Sequence, residues 1–155
     1  MVERCFGCRS EVSTCNGAPS SSSYKTVPED RFVHIGSNIL DREQPLVSVI
    51  MPAYNHERFV ERAIRSVLEQ TYRPVELIVV NDGSTDSTLA VIERLHHETG
   101  GAFTMLDKPN GGVSSALNLA ARHAKGEFLA VLASDDRYLP EKLERQVALF
   151  ETSPP

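Results

Sequence analysis

The chain has no tryptophan, only three cysteines and no apolar run near the roughly 20 residues that a membrane-crossing helix needs. It also has no excess of basic residues. Lysine and arginine number 16 against 21 aspartates and glutamates, a formal charge of −5, so the basic stripe that neutralises a nucleic-acid backbone is missing. A nucleic-acid partner is therefore not expected. The opening stretch MVERCFGCRS contains no apolar segment of the kind found in a secretory signal, and a cytoplasmic protein is the expectation. What is present is ordinary for a globular chain: 155 residues, 41% hydrophobic and 24% charged. That is enough for a single domain with its own core.

The chain changes character near Gln44-Pro45. Residues 1–44 are polar and poorly periodic, carry a serine run at 20–23, and hold all three cysteines, Cys5, Cys8 and Cys15. Cys5 and Cys8 have the spacing of half a zinc site, which Cys15 and His34 could complete in principle, but the spacing to His34 fits no established pattern. Reduced thiols on a flexible extension are the expectation for this part.

From Pro45 onward, short β-type runs alternate with amphipathic stretches. Residues 46–51 (LVSVIM), 75–80 (VELIVV), 102–106 and 127–133 (EFLAVLA) read as strands. Between them, Phe59, Val60, Ala63, Ile64, Val67 and Leu68 recur at helical spacing, closing near Gln70. A second helix starts from Asp86 as N-cap and stops before Gly100-Gly101; a third runs over 113–124 and is expected to be capped by a left-handed Gly126. A last helix covers 140–150, with Pro140 in its first turn. The order βαβαβαβ implies an α/β fold with a mostly parallel, Rossmann-like sheet and helices on both faces. Ligands of such sheets bind at the carboxyl ends of the strands.

Those ends are where the polar residues lie. After the first strand come Pro52, Ala53, Tyr54 and Asn55; after the second, Asn81, Asp82, Gly83 and Ser84; after the third, Asp107, Lys108, Pro109, Asn110, Gly111 and Gly112; after the fourth, Ser134, Asp135 and Asp136. Ordinary turn chemistry accounts for any one of these ends taken alone. Together they supply a ring able to cover a base and a carboxylate, Asp82, able to accept the ring N–H of uracil or thymine. Lys108 and the backbone N–H groups of Gly111 and Gly112 favour an anion such as a diphosphate. Asp135 and Asp136 are hard oxygen donors suited to Mg²⁺ or Mn²⁺. Base, phosphates and metal describe a nucleoside diphosphate.

The stretch from Pro45 to about Glu151, with VSVIMPAYN, VELIVVNDGSTDST, NGGVSSALN and EFLAVLASDD in that order, resembles the N-terminal half of family 2 glycosyltransferases of the GT-A fold. The resemblance implies inverting transfer of a sugar from a nucleotide-sugar donor, commonly a UDP-sugar, to an acceptor hydroxyl of a saccharide or glycolipid. It implies that Pro52, Ala53 and Tyr54 surround the nucleobase, that Asp82 meets the uracil ring, and that Asn110 and Gly111 lie near base and ribose. Asp135 then matches the last aspartate of the family's Asp-x-Asp element, which reaches the metal. Two positions depart from the pattern: Ala133 stands where the first aspartate of that element is usual, leaving Asp136 as its substitute, and Leu117 stands where an arginine is frequent.

In such proteins the acceptor half and the general base lie further along, so no residue is assigned as the base here; Glu141 and Glu144 read as a solvated helix face. The expectation is a donor-binding half over residues 45–155, of little activity alone, with an uncovered sheet edge through which it self-associates. Peripheral membrane attachment stays open. A sugar-phosphate nucleotidyltransferase would want a glycine- and arginine-containing loop in place of MPAYNHERF, and a dinucleotide-binding oxidoreductase would want Gly-x-Gly-x-x-Gly there. A non-catalytic nucleotide-sugar-binding or partner-binding module is the remaining alternative.

Overall fold

The computed structural model describes residues 44–152, so the 1–44 extension and its cysteines lie outside the described residues but for Gln44. Eight elements alternate along the rest: β1 (Val47–Ala53), α1 (Val60–Leu68), β2 (Val75–Asp82), α2 (Thr88–Glu98), β3 (Thr104–Lys108), α3 (Val113–His123), β4 (Phe128–Val131) and α4 (Lys142–Thr152). The four strands are parallel and ordered β3-β2-β1-β4. Chain order runs outward from β1 to β3 and then jumps back to β4 on the other side. The switch point of the sheet therefore falls between β1 and β4.

A strand covered on both faces needs apolar residues on both, and the middles of β1 (Val49–Met51) and β2 (Leu77–Val80) meet that need, with Ser48 and Glu76 at the opening ends hydrogen-bonded to each other. Val47, Val49, Met51 and Ala53 of β1, with Leu77 and Val79 of β2, point to one face. There they meet Val60, Ala63, Ile64 and Val67 of α1, Ile92 and Leu95 of α2, and Leu143 and Val147 of α4. Ile50, Ile78 and Val80 point to the other face and meet Ala116 and Ala120 of α3. The two alanines are fully buried, and their small side chains let α3 lie close to the sheet. Helices thus cover both faces, as the alternating pattern implied.

Several boundaries differ from the sequence-based expectation. Strand β2 continues through Asn81 and Asp82, and β3 through Asp107 and Lys108, because the ladder pairs Asn81 with Asp107 and Asp82 with Lys108. Pairing with a neighbour holds these polar residues in the strand where local propensity would end it. Strand β4, by contrast, is shorter than expected, since its ladder to β1 ends at Ile50 and Val131. Helix α2 begins after Ser87, but Asp86 still serves its first turn: its Oδ1 accepts the Thr88 N–H at 2.9 Å. Helix α4 begins at Lys142, after Pro140.

Gly126 is a clear correction. It does not adopt the left-handed conformation, and α3 ends instead at an extended Ala124. The reason for glycine is proximity: a Cβ at position 126 would lie 2.5 Å from Ser48 Oγ, 2.6 Å from the Leu46 carbonyl oxygen and 2.7 Å from Ser48 N. Its N–H donates to Ser48 Oγ at 2.7 Å, and the Ser48 hydroxyl in turn donates to Glu76. These bonds tie the α3–β4 connection to the starts of β1 and β2.

The segment after β4 is fastened both to α1 and its C-terminal turn and back to the end of β4. Buried Gln70 donates from Nε2 to the carbonyl oxygens of Ser66 at 3.0 Å and Leu139 at 2.7 Å, and accepts the Leu143 N–H at 3.1 Å. Tyr138 donates its hydroxyl to Val131 O at 2.8 Å and its N–H to Ser66 Oγ at 3.1 Å. Beyond this, β4 presents Leu129 and Val131 on an uncovered face, 53% and 55% exposed. Among the described residues, no helix is long and apolar enough to cross a membrane.

The close approach at Gly126 sets a test. Gly126→Ala must displace backbone at Leu46 and Ser48, so urea denaturation should show a loss of roughly 1–3 kcal/mol, the usual cost of overpacking. Stability equal to that of the unsubstituted protein would mean that the loop has room to spare.

Candidate functional site

All four strand ends open on one edge of the sheet, and at the switch point they enclose a cavity of about 430 Å³. Its walls come from two strand ends and three of the four loops: Pro52 and Ala53 at the end of β1 with Tyr54 and His56 after it, Asp82 at the end of β2, Asn110 and Gly112 before α3 with Val113 opening that helix, and Ala133 and Ser134 after β4. Pro52 cannot donate a ladder hydrogen bond. It sits two residues beyond Ile50, where the ladder to β4 has ended, which keeps the mouth of the crevice open.

Asp82 lies at the floor of this cavity, 3% exposed. Its Oδ1 accepts the ammonium of Lys108 and the N–H of Gly111, the latter at 3.0 Å. Burial by itself raises a carboxyl pKa, but the hydrogen bond and charge of Lys108 and the backbone N–H groups of Gly111 and Gly112 outweigh it. The net effect holds Asp82 below its ordinary value. A buried anion of fixed orientation thus faces the cavity. Lys108, expected to meet an anionic ligand, is committed to Asp82 and to the Pro109 carbonyl oxygen at 2.6 Å.

A chain of side-chain bonds fixes the rim. Asn81 Nδ2 donates to Asp107 Oδ1 at 2.6 Å, and Ser84 Oγ donates to Asn81 Oδ1 at the same distance. Asn55, in the left-handed region at φ 53°, donates its N–H to Ser84 Oγ at 3.1 Å and accepts the Thr85 N–H at 2.8 Å. Asparagine tolerates that conformation better than most residues. Gly83, also at positive φ, allows the β2–α2 turn to approach Asn110, whose N would be 2.5 Å from a Cβ there. Of the expected binding residues, Pro52, Ala53, Tyr54, Asp82, Asn110 and Ser134 line the cavity. Asn55, Gly83, Ser84, Lys108 and Gly111 instead hold the loops or Asp82 in place.

His56 carries no role in the sequence-based expectation, yet it is part of the wall. Its Nδ1 lies 2.7 Å from the hydroxyl of Ser134, itself 1% exposed, and its N–H donates to Thr88 Oγ1 at 2.8 Å. The partners are 78 residues apart, and no local pattern announces such a pair. Val113, 60% exposed at the mouth of the cavity, was likewise legible only as a helix residue.

Asp135 and Asp136 are exposed beside the cavity rather than in its wall. Asp136 closes a turn with its N–H on the Ala133 carbonyl oxygen at 3.0 Å. Among the described residues, no three or more His, Cys, Asp or Glu side chains gather as a ready-made metal cage. Mg²⁺ and Mn²⁺ commonly take only one or two protein carboxylates, with substrate phosphates and water completing the shell, and two adjacent, accessible carboxylates fit that demand. Glu141, just before α4, and Glu144 on it are occupied, by Arg145 Nε at 3.1 Å and by Thr71 Oγ1 at 2.7 Å.

Comparison with known proteins agrees with this architecture. The family model described as Glycosyl transferase family 2 matches residues 48–155. An uncharacterised glycosyltransferase of Rickettsia typhi is 45% identical over 106 residues, covering 68% of this chain and 32% of that protein. Chondroitin synthase of Pasteurella multocida is 43% identical over 100 residues, 64% of this chain and 10% of the synthase. Among solved structures, the mannosyltransferase of Pyrobaculum calidifontis in complex with GDP-Man and Mn²⁺ superposes with a TM-score of 0.65 at 27% identity, covering 73% of this chain and 34% of that one. The S. aureus TarS fragment 1–349 in complex with UDP-GlcNAc gives 0.61 at 31% identity, covering 68% and 31%. The chain spans about a third of the length of the first of these curated relatives. With the family model covering more than half of its residues, on a sheet of the same architecture, the chain belongs to glycosyl transferase family 2.

Proposed function

We propose that residues 45–155 form the donor-binding part of a transferase that takes a nucleotide-diphospho-sugar, a UDP-sugar by preference, and passes the sugar with inversion to an acceptor hydroxyl in glycoconjugate or polysaccharide synthesis. The observation that carries this is Asp82, a buried, ionised carboxylate at the floor of a cavity with Tyr54 on its rim. Uracil offers a ring N–H to such an acceptor and cytosine does not. Lys108 and Gly111 hold Oδ1 and so fix the carboxylate that meets the base, while Tyr54, 44% exposed, covers the ring face. Guanine also carries a ring N–H, so the carboxylate alone excludes cytosine more firmly than guanine.

Asn110 and the backbone around Gly112 adjoin this position and suit the ribose and the first phosphate. Ser134 and its partner His56 form the opposite wall. Asp135 and Asp136 are the residues that would hold Mn²⁺ or Mg²⁺, whose charge would offset that of the departing diphosphate. In the transfer itself, the bond from the anomeric carbon to the diphosphate oxygen breaks with its electron pair going to that oxygen. The acceptor oxygen bonds to the opposite face of the carbon and gives up its proton to a base. None of the residues lining the cavity is assigned as that base. A family relative bound to UDP-GlcNAc and another bound to GDP-Man with Mn²⁺ support the donor class.

Calorimetric titration of the folded chain with UDP, GDP and CDP, with and without Mn²⁺, tests the proposal. UDP should bind more tightly than CDP, and Mn²⁺ should tighten it. Asp82→Ala should weaken UDP at least roughly tenfold, the scale of one lost charged hydrogen bond, and abolish the preference over CDP. Asp135→Ala should abolish only the metal effect. Absence of binding by all three nucleotides to a demonstrably folded chain would sink the donor-site proposal.

The Asp82–Lys108 pair also predicts a pH dependence. The folded pKa of Asp82 lies below the ordinary 3.8, so the stabilisation is complete above that value and is lost as pH falls through the folded one. In urea denaturation, Asp82→Asn should be clearly less stable than the unsubstituted protein at pH 6, with the gap narrowing below about pH 4. A gap that stays constant down to pH 3 would mean that the carboxylate charge contributes nothing.

A further inference from the structure

A second concave surface lies against the same loop, between the start of α1 and the segment that follows β4. This groove, of about 580 Å³, is lined by Arg58, Arg62 and Arg65 from one side and by Arg137 from the other. In a chain of net charge −5, four guanidinium groups on one groove are out of keeping with the rest of the surface. Their pairing is uneven. Arg65 forms ion pairs with Glu61 at 2.9 Å and Glu98 at 3.3 Å, whereas Arg58, Arg62 and Arg137 enter no ion pair among the described residues.

Two carboxylates share the groove. Glu61 is already engaged by Arg65 and by Arg94, the latter at 2.7 Å, and Glu69 lies at the far end of α1 from Arg58. Arg62 is oriented by the ring of Phe59, 6.0 Å from its guanidinium carbon, and its Nη2 lies 3.5 Å from the Asp135 carbonyl oxygen. Arg58 and Arg62 also sit at the N-terminal end of α1, where the helix dipole is positive and cations are disfavoured. With Arg137 facing them across the groove, three cations without an ion pair among the described residues line one surface, and an anion between them offsets their mutual repulsion. The planar fork of arginine matches phosphate oxygens in particular.

We infer that Arg58, Arg62 and Arg137 form a phosphate-binding subsite beside the Asp135 loop. The groove takes a phosphate mono- or diester, and exposed Leu139, 69% accessible on its lip, suits an apolar carrier attached to it. That this phosphate belongs to the sugar acceptor rests on the donor-site proposal above; the binding itself does not.

The test is an NMR titration of the full chain with glycerol 3-phosphate, following the arginine Nε–Hε signals, together with cosedimentation on phosphatidylglycerol and phosphatidylcholine vesicles. Signals of Arg58, Arg62 and Arg137 should shift saturably. Arg62→Gln and Arg137→Gln should each weaken binding roughly tenfold, as expected for a lost charged hydrogen bond, while Arg65→Gln leaves it intact, with circular dichroism confirming the fold of each variant. Response to the free ester alone assigns the phosphate to a soluble carrier, and arginine-dependent retention on phosphatidylglycerol but not phosphatidylcholine assigns it to a lipid headgroup. A flat titration with no selective vesicle retention, or responses unchanged in the Arg58→Gln/Arg62→Gln/Arg137→Gln variant, overturns the subsite. The ester carries no base, so this outcome leaves the nucleotide titration standing, and a failed nucleotide titration leaves this one standing.

Discussion

A parallel strand can pair again only after the chain has returned to the end of the sheet from which it started. Everything at the site follows from that constraint. Each return in this domain is made by a helix, so each strand leaves its carboxyl end, and the loop that begins the return, on the same edge. The loops do not have to find one another by chance. The jump from β3 back across to β4 then opens one gap in the row of loops, between β1 and β4, and the cavity occupies it.

Electrostatics complete what topology begins. A carboxylate as buried as Asp82 is costly unless it is hydrogen-bonded and paired, and both needs are met from β3 and the loop after it. Strand register places Lys108 opposite Asp82, and the turn that follows brings back the Gly111 N–H. The lysine neutralises the site as a whole while keeping the aspartate ionised, so the cavity offers a strong acceptor without a large net charge. By contrast, the ion pairs among Glu61, Arg65, Arg94 and Glu98 on α1 and α2 are about half exposed and contribute little stability each.

Much of this was legible along the chain. The apolar runs of β1 and β2, interrupted only at Ser48 and Glu76 before their polar ends, mark strands buried on both faces. The spacing of Val60, Ala63, Ile64 and Val67 marks a helix lying on one of them, and the polar residues after each strand mark the working edge. What could not be read locally depends on pairing across the fold. Asn81 and Asp82 look like turn residues until Asp107 and Lys108 stand beside them in the ladder. Gly126 looks like a helix cap until β1 is seen to pass so close that no Cβ fits. Lys108 looks available to a ligand until its distance from Asp82 is known, and His56 has no meaning without Ser134.

That last pair has a consequence for how the site can vary. The final backbone bond between β1 and β4 is donated by Leu132 to Ile50. Past it the two loops diverge, and the imidazole of His56 bridges them to the Ser134 hydroxyl. The spacing between the walls of the crevice is thus set by the length of a side chain and not by the ladder. A shorter or longer residue at position 56 resets that spacing in a single exchange, and the sheet beneath has no need to change.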